Sequence, residues 1–434
     1  MNPKIQNDLE ELLEHQVIPK DIALKIEAYY RSKNLNAPNR LFTVFGVLGA
    51  LLVGLGIILI LAHNWDQFSK SIKTVLAFLP LVLGQLLVGF SILKNESQVW
   101  KESTGTFLFF AVGSSISLIS QIYNIPGNFS TFLLTWILLC APLIYLLRSH
   151  ALAILQIVFM TYYAADLGYS YLTNGKVPWY YLLLLLLVLP YYWRLLKDSV
   201  SANITSVFNW LLPLSLTIVL GAFVNDMEEF GVLMYVLLFG IFYALGRFPV
   251  YSNFKLRRNG YLILGSLGTV FMLLLTSFDW IWQDLMDFDL HAPSLELRNV
   301  LILLILGIGL LIYGMSRKWI SKWNVGNYAF IIFAIVFFFG FMENMVPQIV
   351  INLLILAIAL TTIKRGADLF HFGILNYGLL IIALLIACRF FDTDMSFVFR
   401  GLLFLGFGLG FFLTNYFMLK KQKQQKHENI SLKS

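Results

Sequence analysis

Charge is what this chain lacks. Asp, Glu, Lys and Arg make up 13% of its 434 residues, while apolar residues reach 59%. The surface of a soluble globule needs more charge than that, so a water-soluble fold is excluded and the length says nothing about soluble domain number. Cysteine is equally scarce. Cys140 and Cys388 both lie inside apolar runs, and neither belongs to a CxxC or Cys/His pattern. They read as small packing residues, with no zinc, iron–sulfur or disulfide framework. There is no Walker A loop, no GxGxxG after a strand, no GxSxG elbow and no HExxH pair. ATP-driven pumping and metalloprotease chemistry are therefore not expected. The ExxH pair of a di-iron bundle, a chain of intramembrane carboxylates and an Arg ladder are also missing, which argues against a di-iron site, a rotary-type proton path and a voltage sensor. No cofactor, no metal and no catalytic residue is expected.

What is present is fourteen apolar stretches, at about residues 42–62, 73–93, 104–124, 130–147, 150–168, 178–194, 205–224, 230–247, 259–277, 298–315, 325–341, 346–363, 371–388 and 398–419. Many approach the ~20 residues that carry a helix across a bilayer. In hydrocarbon every backbone amide and carbonyl must be satisfied within the protein. A barrel would need ~10-residue segments alternating apolar and polar, which these runs do not show. The fold class expected is all-α: a polytopic α-helical membrane bundle of 12–14 transmembrane helices. The third stretch, with Gly113-Ser114-Ser115-Ile116-Ser117 at its middle, and the seventh, with Pro213, are the weakest. The pair around Arg148 also reads as one long broken helix.

Lys and Arg alternate between the gaps. Lys70, Lys73, Lys176, Arg298, Arg389 and Arg400 lie in odd-numbered gaps or their helix ends, and the other 25 of 31 lie in the N-terminal segment, the even gaps and the tail. Such bias sets orientation, so both termini are expected in the cytoplasm. Trp65, Trp100, Trp179, Trp193, Trp280 and Trp319 fall near expected helix ends, as an interfacial belt requires. The net charge of +7 is accounted for by topology and anionic lipid, and no nucleic-acid partner is expected. No cleavable signal peptide is read at the start, and the first membrane helix is expected to direct insertion.

Three domains follow: 1–40, a cytoplasmic helical hairpin; 41–419, the transmembrane domain; 420–434, a basic cytoplasmic tail. In the hairpin, Ile5, Leu9, Leu12 and Leu13 recur at helical spacing, then His15–Ile18 breaks the pattern. Pro19 opens a second helix carrying Ile22, Ile26 and Tyr29. Asp21 and Glu27 beside Lys20 and Lys25 leave that helix no basic face for DNA. The external connection at 278–297 mixes aromatic and acidic residues and reads as a solvated loop or a short surface helix.

The richest polar cluster spans the third stretch and its exit: Ser114, Ser117, Gln121, Tyr123 and Asn124, with Ser115 and Ser120 beside them. Ser114, Ser117 and Gln121 share one helical face. That face reads either as interhelical hydrogen bonding or as the lining of a substrate cavity. His63 and Asp66, in His63-Asn64-Trp65-Asp66, stand at the outer end of the first stretch, as an interfacial cap or a substrate contact. Arg148 lies at a span end, where a long side chain can snorkel. These eight residues (Ser114, Ser117, Gln121, Tyr123, Asn124, His63, Asp66 and Arg148) are the candidate substrate-binding set. Small-residue spacing at Ala50-xxx-Gly54 and Gly406-xxx-Gly410 suits close helix packing.

Several of these segments resemble a known family. The N-terminal hairpin, Leu48-Gly49-Ala50-Leu51-Leu52, His63-Asn64-Trp65-Asp66, Gln121-Ile122-Tyr123-Asn124-Ile125 and Trp136…Ala141-Pro142-Leu143…Tyr145-Leu146-Leu147-Arg148-Ser149 are similar to the bacterial membrane family named domain of unknown function 2157. The closing Arg400-Gly401-Leu402-Leu403-Phe404 resembles its end. Gly127-Asn128 departs from the family's usual Gly-Asp, and His15-Gln16 stands where the hairpin turn usually has Gly. The resemblance implies a multi-pass protein of the bacterial inner membrane with no assigned activity. Three functions remain in view: a gradient-driven transporter of a small solute or lipid-linked substrate; a non-transporting scaffold or envelope sensor that meets a protein partner through its hairpin; and an intramembrane enzyme. The lipid bilayer is the partner common to all.

Overall fold

The structure, a computed structural model, describes residues 9, 11–35, 65–169, 176–198, 203–224, 228–278, 280–282, 295–339 and 346–392, and in the closing segment 398, 401–402, 405–406, 408–416 and 419–420. Among these there is no strand. The first stretch, 42–62, and most of the basic tail lie outside the described residues. Two units are distinguished, Met1–Leu76 and Ala77–Ser434.

In the first unit residues 11–14 are helical, the chain turns at His15–Ile18, and α1 runs Lys20–Leu35. Gln16 makes the turn at φ 53°, a left-handed conformation in which Gly is at ease and Gln is not. Position 16 is thus one that a Gly would occupy without strain. Leu9 and Ala23 are buried, whereas Val17, Leu24 and Tyr29 are exposed. Trp65–Gln67 forms a single 3₁₀ turn, with Lys73 Nζ 5.6 Å from the Trp65 ring centre.

Among the described residues twelve helices of more than ten residues follow within 70–392: α2 Lys70–Leu93, α3 Gln98–Tyr123, α4 Phe129–Leu147, α5 His150–Tyr169, α6 Trp179–Asp198, α7 Asn203–Leu220, α8 Glu228–Leu245, α9 Gly260–Leu275, α10 Leu295–Ser316, α11 Ala329–Phe339, α12 Val346–Asp368 and α13 Phe372–Asp392. They coincide with the second to thirteenth apolar stretches. Among the described residues nine helices are long and apolar enough to cross a membrane, and α8, α9 and α11 are shorter apolar helices. Around Arg148 there are two helices: Arg148 adopts φ 50°, ψ 42° and its N–H closes α4 on the Ile144 carbonyl.

Two helices organise the packing. α5 meets α3, α4, α6 and α7, while α8 meets α7, α9, α10 and α11; α12 and α13 form an antiparallel pair against α9. α8 is apolar all round, as a central helix must be: Leu233, Met234, Val236, Leu237, Leu238, Phe239, Ile241 and Phe242 are all buried. Its approach to α9 depends on Gly265, where a Cβ would lie 2.4 Å from the Tyr243 nitrogen. Between α3, α4 and α5 the contact is aromatic. The Trp136 ring centre is 5.1 Å from Phe109 and 4.6 Å from Phe159, and the indole N–H donates to the Phe109 carbonyl at 2.7 Å. The outer faces keep exposed Leu83, Leu86, Leu183, Leu186, Ile302 and Ile305, side chains that suit lipid rather than water. Cys140 packs in this core and Cys388 is half-buried, and the two form no disulfide.

Contacts between loops sort them into two ends. At one end Gln98 reaches the Arg148 carbonyl and Arg258 donates to Asn203. At the other Ser130 donates to Asp166 at 2.6 Å, Asn299 to the Phe223 carbonyl, and Arg389 to the Ser277 carbonyl at 2.6 Å. Each contact joins segments an even number of spans apart, which an up-and-down bundle requires. The first end is the basic one.

Candidate functional site

The face expected from spacing exists, but it is directed outward. Ser114, Ser117 and Gln121 are exposed along α3 and Ser115 is buried, donating to the Ala77 carbonyl at 2.7 Å. Ser114 donates to the Ala111 carbonyl of its own helix. Asn124 ends α3 in the left-handed region (φ 52°, ψ 44°), with its N–H on the carbonyls of Ser120 and Gln121. Tyr123 beside it is exposed. Asn128 then opens α4, its side-chain oxygen accepting from the Thr131 N–H at 2.8 Å and from the Thr131 hydroxyl. An Asn caps a helix about as well as an Asp, so the departure from Gly-Asp costs the link little. Asp66 lies exposed in the 3₁₀ turn, and His63 lies outside the described residues. The Arg148 side chain is exposed; its backbone makes the corner. Within the second unit the structure therefore sets Tyr123 and Asn124 at one end of α3 and Arg148 at the other, beside Gln98. A groove of about 410 Å³ is lined instead by Leu379, Ala383, Gly406, Gly408, Gly410, Phe411 and Thr414.

One set of polar groups converges along α5. At its N-terminus sits Glu102 of α3. The carboxylate accepts from the His150 N–H at 2.7 Å, the Ala151 N–H at 2.9 Å and the Ser149 hydroxyl, and from the Gln98 amide at 3.3 Å. A negative group there meets both the orphan amides and the positive end of the helix dipole. Ser149, itself fully buried, accepts from the Leu152 N–H at 3.2 Å. From α6, the Tyr191 hydroxyl meets His150 Nδ1 at 2.7 Å and the Arg148 carbonyl at 3.3 Å. One carboxylate, one imidazole and one phenol thus tie α3, α4, α5 and α6 together.

Further along α5 stands Gln156, 1% exposed, with neither its amide nitrogen nor its oxygen hydrogen-bonded. Six residues separate it from His150, a rise of roughly 9 Å and a turn of roughly 120° about the helix axis, and it stands roughly 140° around the helix from Thr161. Roughly 7.5 Å beyond, Thr161 and Ser215 share a 2.5 Å hydrogen bond, and the Tyr181 hydroxyl meets Ser215 at 2.7 Å. Sequence inspection missed this file because its members come from four helices. The usable signal was Gln156, an amide inside an otherwise apolar run.

These features define a class: a multi-pass α-helical membrane protein, with one set of its polar side chains placed along α5. Residues 10–153 match the family described as "Predicted membrane protein (DUF2157)", the family that the N-terminal segments resemble. The match takes in Glu102, Arg148, Ser149 and His150 and stops short of Gln156. No curated protein and no solved structure matches the chain.

Proposed function

We propose that this protein is transporter-like, passing a small polar solute beside α5, with its basic end on the cytoplasmic side of a bacterial inner membrane. The observation that carries the reading is Gln156. A buried amide without partners costs about 1–3 kcal/mol, a burden that suits a position where water or a solute supplies the missing bonds. The His150–Tyr191 pair would lie at the entrance on the basic end, and the Thr161–Ser215–Tyr181 hydroxyls at the next station. With no nucleotide-binding motif, movement would follow a gradient.

Cysteine placed at Gln156, in a chain with Cys140 and Cys388 replaced by Ala, tests this in proteoliposomes. A small hydrophilic methanethiosulfonate should modify it, as it should a control cysteine at exposed Asn124. A control that reacts while position 156 stays inert would mean a dry, packed bundle and would end the transport reading.

A second reading rests on Val17 and Leu24, apolar side chains exposed on the hairpin, which a protein partner would cover. Deleting residues 1–40 separates the two: a transporter keeps its flux, whereas a scaffold loses its partner.

A further inference from the structure

Arg247, just beyond α8, does not extend outward as a cation at a helix end ordinarily does. Its guanidinium lies over the Tyr243 ring, 4.4 Å from the centre, and donates to the Tyr243 hydroxyl. Folded back in this way, its Nε is shielded from solvent and has no hydrogen-bond partner. The Tyr243 oxygen also accepts from the Asn324 amide at 3.2 Å. With two donors on that oxygen, the phenolic proton is left for an outside acceptor. A second cation approaches the same place. Arg365, near the end of α12, lies within electrostatic reach of both Arg247 and Tyr243. α8 and α12 are brought together there by the turn Val325–Asn327, on which both pack. Among the described residues no carboxylate pairs with either arginine.

Two like charges held close repel, and a shielded N–H without an acceptor is unfavourable. Topology asks only for positive charge at this end, and freely extended arginines would supply it. What this arrangement lacks is an anion. The planar guanidinium presents paired donors that match the oxygens of phosphate, and at a bilayer boundary phosphate esters are the abundant anions. We propose that Arg247, Arg365 and Tyr243 form a binding site for a phosphate-bearing anion at the basic end of the bundle. This inference is independent of the transport reading, since none of its residues belongs to the α5 file.

The test titrates the full-length protein in a zwitterionic detergent with dihexanoyl-phosphatidylglycerol and, separately, with inorganic phosphate, following heat by calorimetry. Wild type should bind at least one of the two. R365Q should bind it about tenfold more weakly, the loss expected when one charged hydrogen-bonding group is removed. Y243F should weaken binding less. R365Q is the primary variant because its side chain is the more exposed, and an unchanged melting temperature without ligand certifies its fold. Binding of the lipid alone assigns the site to a headgroup, and binding of inorganic phosphate assigns it to a soluble phosphate. Absence of binding to both, or equal binding by wild type and R365Q, overturns the proposal.

Discussion

At the scale of single residues, the corner between α4 and α5 concentrates more hydrogen bonds on one side chain than any other place described above. Glu102 serves two backbone amides and the Ser149 hydroxyl there, and all three donors are left with nothing if the carboxylate is removed. Glu102→Ala is expected to lower stability by about 1–3 kcal/mol, read as an earlier midpoint in urea unfolding of the micelle-embedded protein; Glu102→Gln, which keeps an acceptor, should lose less. An unchanged midpoint for the alanine variant would show that water replaces the carboxylate. Arg148 calls for a different argument. Its backbone is left-handed and its side chain exposed, so the position selects for conformation. Arg148→Gly is expected to hold or raise the midpoint, while Arg148→Val, with a branched Cβ in that region, should lose about 1–2 kcal/mol. Were glycine to abolish activity without touching stability, the guanidinium would regain its place as a substrate contact.

At the scale of elements, the α8–α9 crossing is set by backbone proximity. A Cβ at Gly265 would meet the Tyr243 nitrogen at 2.4 Å, and backbone cannot step aside as a flexible side chain can. Gly265→Leu should therefore destabilise by about 1–3 kcal/mol or more, whereas leucine at Gly309, where nothing lies within 4 Å, should be tolerated. Comparable melting temperatures for the two variants would remove the close approach from the account. Gly265 also shows what was legible in advance. The positions of α2–α13 were readable because bilayer thickness imposes a length and a composition on each span. The helix pairs were not, because a glycine that touches a neighbour looks in sequence like one that faces open space. Gly406, Gly408 and Gly410 have the small-residue spacing, yet none has an atom within 4 Å of a built Cβ. The same limit applies to the site. Spacing placed Ser114, Ser117 and Gln121 on one face correctly, but it carries no information about direction, and the face is exposed. Glu102 and Ser149 are 47 residues apart, and only the folded α3–α4–α5 unit brings them together.

At the scale of the whole molecule, charge and packing were obtained independently and divide the loops alike. The alternation of Lys and Arg assigns 94–97, 148–149, 246–259 and 317–328 to one side. Side-chain contacts join these loops to the helix ends beside them, Arg148 to Gln98 and Asn324 to Tyr243, and they separately join helix ends and loops on the other side, Ser130 to Asp166 and Arg389 to Ser277. Strict alternation of α2 to α13 across a bilayer would account for both. Losing α8, α9 or α10 from the count would place the 255–258 or the 317–322 cations on the same side as a neighbouring acidic loop, against the bias that orients membrane proteins. The prediction is binary. In intact cells expressing the chain without its native cysteines, a membrane-impermeant maleimide should label a cysteine at Gly127 and leave one at Lys318 unlabelled until the cells are opened. Labelling of both in intact cells would mean that a helix between α4 and α10 does not cross. The reverse pattern would keep the bundle intact but invert it, placing the arginines of the proposed anion site on the outer face and the Glu102 corner with them.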